Sequence, residues 1–447
     1  MQTIAEAAAA VDAGRTSAVD LVDQALARIA DPAGEGARAF IAVHADSARK
    51  TAAAMDALRA AGRAPSPYAG IPISAKDLLD EAGQVTRGGS RALDGAAPAT
   101  ATALSLARLQ QAGFVVLGRT NMVEFAFSGL GVNPHYGTPL SPWDRATGRL
   151  PGGSSSGAAV ATADGMGFAG IGSDTGGSCR IPAAFCGLVG WKPTARRVPL
   201  TGTLPLSSSL DSLGPIARSV ACCALLDSLM AGEAPWSPGL PLPVAGLRLG
   251  VLGGYVAEDW DATVTATFEV ALARLSRAGA RVQPLEVPEL PEILAAQRTV
   301  TFAAAEAFAW HESLIAAQGA AYDPRILARI QRGQQMRAAD YVRLREARAR
   351  IIAAIAPHTA GFDALVMPTC PIVPPALAEV ADEAEYGRIN LLLLRNPSVA
   401  NFLDRCAISL PCHAPGAAPV GLMLMGETMG DARLFTVAAA VEAALAD

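Results

Sequence analysis

Lysine is almost missing from this 447-residue chain: Lys50, Lys76 and Lys192 are the only three among 36 basic residues. A GC-rich genome explains an arginine bias of that kind. A lysine that persists under it marks a position where a group able to lose its charge is wanted, because arginine effectively never does. Histidine is scarce as well: His44, His135, His311, His358 and His413 lie outside the serine-rich clusters of the chain. Basic charge is not in excess, with 41 acidic residues giving a formal net charge of −5. That excludes the electrostatic footprint of a nucleic-acid binder.

Other absences narrow the class further. The seven cysteines are odd in number and lack paired metal spacing, which fits buried thiols in a reducing compartment. No basic region precedes an apolar run at the N-terminus, so no signal peptide is expected. No charge-free apolar run of about 20 residues suggests a membrane span. A cytoplasmic protein with no membrane association is the expectation. Charged residues are 17% and hydrophobic ones 51%, enough for a large core, and neither repeats nor low-complexity linkers interrupt the chain.

What is abundant is glycine with serine, between Pro151 and Pro193. Two clusters stand out, Gly152–Gly157 (GGSSSG) and Gly172–Ser178 (GSDTGGS). Glycine costs the most entropy to order, so such density asks for a reason beyond packing. Around this stretch, strand and helix patterns alternate. Helices are expected within 3–30, with Gly14 between them and Ser17 with Asp20 capping the second, and over 45–61, 102–112, 157–170, 262–278 and 430–446. Strands are expected at Phe40–Val43, Phe114–Leu117, 247–252, Asp363–Met367, Ala407–Leu410 and Val420–Met425. Ile71–Asp77 reads as a loop beside a strand, and 133–151 as irregular. The long helical stretch 291–356 suits either a cap over a pocket or an outer layer. The pattern gives an α/β fold with one large mixed sheet flanked by helices, a single domain over 1–447.

Three familiar motifs fall inside the glycine-rich stretch and fail on context. Gly165–Gly170 has the dinucleotide spacing but no strand before it. Gly153–Gly157 has the G-x-S-x-G form of a nucleophile elbow, yet Thr147–Pro151 before it is loop chemistry. A phosphate loop would need a following lysine, and none follows. A serine nucleophile needs a base, and without a nearby histidine the substitute is a neutral lysine. Lys76, among Ile71–Ala75 and Leu78–Leu79, is placed for the burial that would neutralise it. Lys192 competes for the role, Lys50 reads as a surface residue, and Ser74 could form a simpler dyad with Lys76.

Taken in order, these residues resemble the amidase signature family of serine hydrolases. The likeness is carried by Gly70–Pro72 through Lys76-Asp77, Thr120–Met122 with Glu124-Phe125, Pro151–Ser155, and Gly172–Ser178 with Arg180, Pro182 and Ala183. It continues through Gly190, Lys192–Thr194 and Val420–Gly426. It is densest over 65–220. The resemblance implies Ser178 as nucleophile, Ser154 as a bridging serine behind a cis peptide bond, and Lys76 as base. It also implies an oxyanion hole of backbone amides from Thr175, Gly176, Gly177 and Ser178. Ser155, Ser173, Asp174 and Arg180 fall at motif positions where hydrogen bonds that hold the loops are expected. A substrate pocket is expected around Phe125, Ser128, Gly129 and Leu130, with walls from 124–140 and 291–356.

The implied activity is hydrolysis of a small-molecule amide with an aryl or apolar acyl group, or of a carbamate, without metal or cofactor, by a monomer or homodimer. Three other readings are weighed. One is the glutamine-hydrolysing component of a tRNA-dependent amidotransferase, against which Asp404–Cys406 departs from that component's pattern. The others are an allophanate- or biuret-type hydrolase and a catalytically inactive binding protein.

Overall fold

The computed structural model describes residues 2–236, 242–299 and 301–446. Its strands are β1 (Phe40–Val43), β2 (Pro72–Lys76), β3 (Val115–Thr120), β4 (Ala169–Ser173), β5 (Val189–Lys192) and β6 (Leu213–Ala217). They continue with β7 (Arg248–Leu252), β8 (Arg281–Leu285), β9 (Ala364–Pro368), β10 (Ala407–Pro411) and β11 (Gly421–Met425). All eleven form one sheet, ordered β1-β3-β2-β4-β6-β5-β10-β11-β9-β7-β8. Pairing is parallel for β2 with β3 and β4, and for β7 with β8 and β9; the remaining neighbours are antiparallel. The sheet is therefore mixed, as the sequence suggests.

Alternating side chains divide the core. Val115 and Leu117 of β3 join one apolar cluster with the helices Ala18–Ala30, Ala45–Ala60 and Ser156–Ala163. Val116 joins another with the helices Leu104–Gln111, Val220–Ala231 and Asp431–Ala446. That period of two is what a strand covered on both faces requires. The helix Ala18–Ala30 begins as expected: Ser17 accepts from Asp20 N, and Asp20 accepts in return from Ser17 N.

Two local readings are corrected. Ile71–Asp77 is mostly strand, because Pro72 stands at the strand's first position, where a missing N–H is tolerated. The expected helix over 157–170 stops at Ala163, Gly165 turns the chain at φ 75°, and β4 follows. Within β4, Gly172 leaves room for Ser155, whose Oγ would lie 2.7 Å from a Cβ there. The two serine-rich clusters meet at that contact.

The stretch 291–356 holds the helices Glu292–Ala296, Phe302–Gln318 and Pro324–Gln331 and most of Ala338–Thr359; Val300 lies outside the described residues. Among the described residues no helix is long and apolar enough to cross a membrane. All seven cysteines are free and buried.

Candidate active site

Strand β2 delivers Lys76 to the sheet between β3 and β4. Its side chain is fully buried and donates to Ser154 Oγ at 2.7 Å and to Ser173 Oγ at 2.8 Å. Burial is the main force on the amine and brings it down to about 7 from the usual lysine value, against the opposing pull of Cys179, Asp174 and Asp211. The Cys179 thiol is itself pushed up by burial, so it stays neutral and contributes little of that pull. Lys192, the competing base, donates to the carbonyl oxygens of Pro193 and Arg405 at 2.8 and 2.9 Å. It therefore ties the end of β5 to the segment before β10. Ser74 Oγ has no partner among the described residues and does not bond Lys76.

The first cluster is held by the motif residues around Asn121. Gly157 N donates to Asn121 O, Val123 N donates to Ser154 O, and Gly153 N donates to Gly129 O. The Asn121 amide donates to Arg38 O and Gly137 O. The Gly153–Ser154 peptide bond is cis. Ser155 joins the clusters, donating from its N to Ser178 O at 3.3 Å and from Oγ to Ser173 O at 3.4 Å.

Asp174 organises the second cluster. Its carboxylate accepts from Gly177 N, Cys179 N, Arg180 Nε and Nη2, and Asn401 Nδ2. Burial alone would raise this carboxyl; the Arg180 guanidinium and the Asn401 amide outweigh it and hold the group at about 2. Arg180 is wholly buried and also donates to Pro397 O and Asn401 Oδ1. The chain passes Gly177 at φ 128°, where a Cβ would lie 2.7 Å from Pro397 Cβ and 2.8 Å from Ile181 Cδ1. Only glycine fits that position.

Of the four amides expected to form the oxyanion hole, one is engaged within its own loop. The Gly177 N–H is engaged by Asp174 Oδ1 at 2.9 Å. Among the described residues, the N–H groups of Thr175, Gly176 and Ser178 donate to no protein acceptor. The other three amides lie in the same loop as Ser178, which is only 5% exposed.

The four expected pocket residues separate into two pairs. Phe125 is buried against the rings of His311, Tyr322 and Trp310, and Leu130 against Ile181 and its neighbours. Ser128 and Gly129 lie beside the catalytic loops, with Asn390 Oδ1 accepting from Ser128 Oγ and Gly129 N at 2.8 Å each. Leu394 reaches over the same region: a Cβ on Gly129 or Gly176 would lie 3.3 or 3.5 Å from its Cδ2. Asn390, Leu394 and Asn401 escape sequence reasoning. Asn401 alone carries a signal, within the Val399–Ser409 stretch that contains the departure at Asp404–Cys406.

The amidase family model matches residues 20–435. The chain belongs to that family. It is an amide-hydrolysing enzyme with the amidase signature. Among relatives, it is 38% identical to 2-amino-5-chloromuconic acid deaminase of Comamonas testosteroni, covering 89% of this chain and 86% of that protein. It is 34% identical to the A-type component of the glutamyl-tRNA(Gln) amidotransferase of Salinispora arenicola, over 99% of this chain and 96% of that one. The peptide amidase of Stenotrophomonas maltophilia shares its fold with a TM-score of 0.80 at 30% identity, covering 99% of this chain and 96% of the other.

Proposed function

We propose that this amidase cleaves a small-molecule amide through an acyl-Ser178 intermediate, with Lys76 as base and Ser154 as proton bridge. The observation that carries the reading is the buried Lys76 amine, bonded to Ser154 Oγ and brought down to about 7. Neutral Lys76 has a lone pair. It takes a proton from Ser154 as Ser154 takes one from Ser178, and Ser178 Oγ bonds to the carbonyl carbon. The anionic oxygen is met by the Thr175, Gly176 and Ser178 amides. Ser154 then returns a proton to the departing amine as the C–N bond breaks, and water resolves the acyl-enzyme by the same relay in reverse. Asp174, Arg180 and Ser155 hold the loops and take no proton.

An apolar acyl group is supported by Leu394 over Gly176 and by Ile181 beside Gly177. Leu394 also borders a cavity of about 780 Å3 with Leu294, Ile372 and Leu391. Carbamates pass through the same acyl chemistry. A sulfonyl fluoride is expected to label Ser178, located by mass spectrometry, and to block turnover of aryl amides. An adduct on Ser155 would sink the assignment.

The active form of the base is the uncharged amine, so kcat/KM is expected to rise with pH and reach half its plateau near pH 7, following Lys76 at about 7. A profile flat from about pH 5 to about pH 9 would remove lysine from the base role. The likeness to the amidotransferase component favours one second reading, glutamine hydrolysis coupled to a partner. Clear glutaminase turnover, alone or with such a partner, would replace the stand-alone reading.

A further inference from the structure

The loop before β6 faces the oxyanion segment through sheet register. β4 and β6 are antiparallel with Ser173 opposite Leu213. The ladder continues beyond the strand ends: Asp174 N donates to Ser212 O at 2.8 Å, and Ser212 N to Asp174 O at 3.2 Å. The next pair is Thr175 opposite Asp211. Asp211 Oδ1 accepts from Thr175 Oγ1 at 2.6 Å, and Oδ2 accepts from Leu206 N and Ser207 N at 3.0 Å each. Both carboxylate oxygens are thus fixed, and the loop is fixed in turn by Glu306, which accepts from Ser207 Oγ and Ser209 N.

We propose that Asp211 is a positioning residue for the reaction: it clamps Thr175 so that the Thr175 N–H keeps its place beside those of Gly176 and Ser178. This rests on the Lys76–Ser154–Ser178 reading above. The charged or titratable groups facing Asp211 are Lys76 from β2 and Glu306 from the helix Phe302–Gln318; its remaining partners are a hydroxyl and two amides. Asp211, Thr175 and Ser173, which bonds Lys76, border one small cavity of about 10 Å3 with Leu78, Ala126 and Leu213. With such apolar walls, solvent and salt screen the Asp211 charge weakly. Burial, aided by the like charge of Glu306, brings Asp211 up to about 6 against its hydrogen-bond donors.

The experiment measures kcat, KM and the pH profile for Thr175→Val, Thr175→Ser, Asp211→Asn and the Val/Asn double variant on an aryl amide. Thr175→Val is expected to lower kcat roughly ten- to a hundredfold with KM little changed, as for a misaligned transition-state contact. Thr175→Ser keeps the hydroxyl and is expected to lose clearly less of kcat than Thr175→Val, a rescue that a merely structural role would not give. Asp211→Asn is expected to lower kcat with KM little changed, with the double variant no worse than the poorer single one. Equal kcat for Thr175→Val and Thr175→Ser overturns the clamp, whether or not Asp211→Asn folds. A double variant clearly worse than both single ones likewise overturns it, since Thr175 and Asp211 would then act separately. Activity surviving Ser178→Ala would instead overturn the underlying reading, so the two failures are separable.

Discussion

Replacing Ser178 with alanine is expected to lower kcat by about 10⁴-fold or more while leaving the fold intact. Stability should hold because the Ser178 hydroxyl makes no hydrogen bond among the described residues; only the backbone of Ser178 is used, as acceptor for Ser155 N. The three free amides and the pocket would survive, which leaves the residual rate that binding and oxyanion contacts supply alone. Lys76→Met makes the complementary case. Methionine fills a similar volume without a buried amine, so stability is expected to hold or rise while activity falls to a comparable floor. Single-turnover kinetics on an aryl amide, with thermal denaturation in parallel, measures both. A Ser178→Ala enzyme within about tenfold of the parent would exclude acyl transfer to that residue.

The largest effect on stability is expected from Asp174→Ala. Removing the carboxylate takes the acceptor from five donors and leaves Arg180, wholly buried, without its counter-charge. Breaking one side of such a pair costs about 3–5 kcal/mol, far more than a surface ion pair. The loss should appear as a lowered denaturant midpoint together with lost activity, because the same carboxylate orders the Gly177 turn. The intact protein carries a related pH signature. Asp174 lies at about 2 when folded against an ordinary 3.8, so its stabilisation is complete above the ordinary value and fades as pH falls from there towards 2. An Asp174→Ala protein as stable as the parent at neutral pH would refute this account.

The proposed roles of Ser154 and Ser178 come from the family resemblance, whereas Lys76 stands out as one of three lysines in an apolar setting; the structure places the Lys76 amine against Ser154. The buried strands Ala364–Pro368 and Gly421–Met425 were legible because both runs are apolar throughout. β4 was not. Its residues Ala169–Ser173 include two glycines and one β-branched side chain, so strand propensity gives no signal, and only close contact with the helix Ser156–Ala163 explains it. The expected pocket residues are those near a motif; Phe125, one of them, is enclosed by three rings from the helical region and a loop. Leu394 and Asn390 come from a helix with no distinguishing pattern, and their role depends on how distant segments pack.

The bond from Asn401 to Asp174 spans 227 residues of chain. Its partner Arg180 reaches Pro397, 217 residues away, and Met423, 243 away. The Gly172–Ser178 loop is thus completed by the last quarter of the sequence. During synthesis, a ribosome that has made β1 to β6 has made Lys76, Ser154 and Ser178, the residues of the proposed mechanism, but not those that lock their loops. Contacts at such separation pay their loop-closure entropy late and slow the final step of folding. Chemistry therefore waits for the C-terminal strands, and a fragment ending before Pro397 is expected to hold every reacting group and hydrolyse nothing.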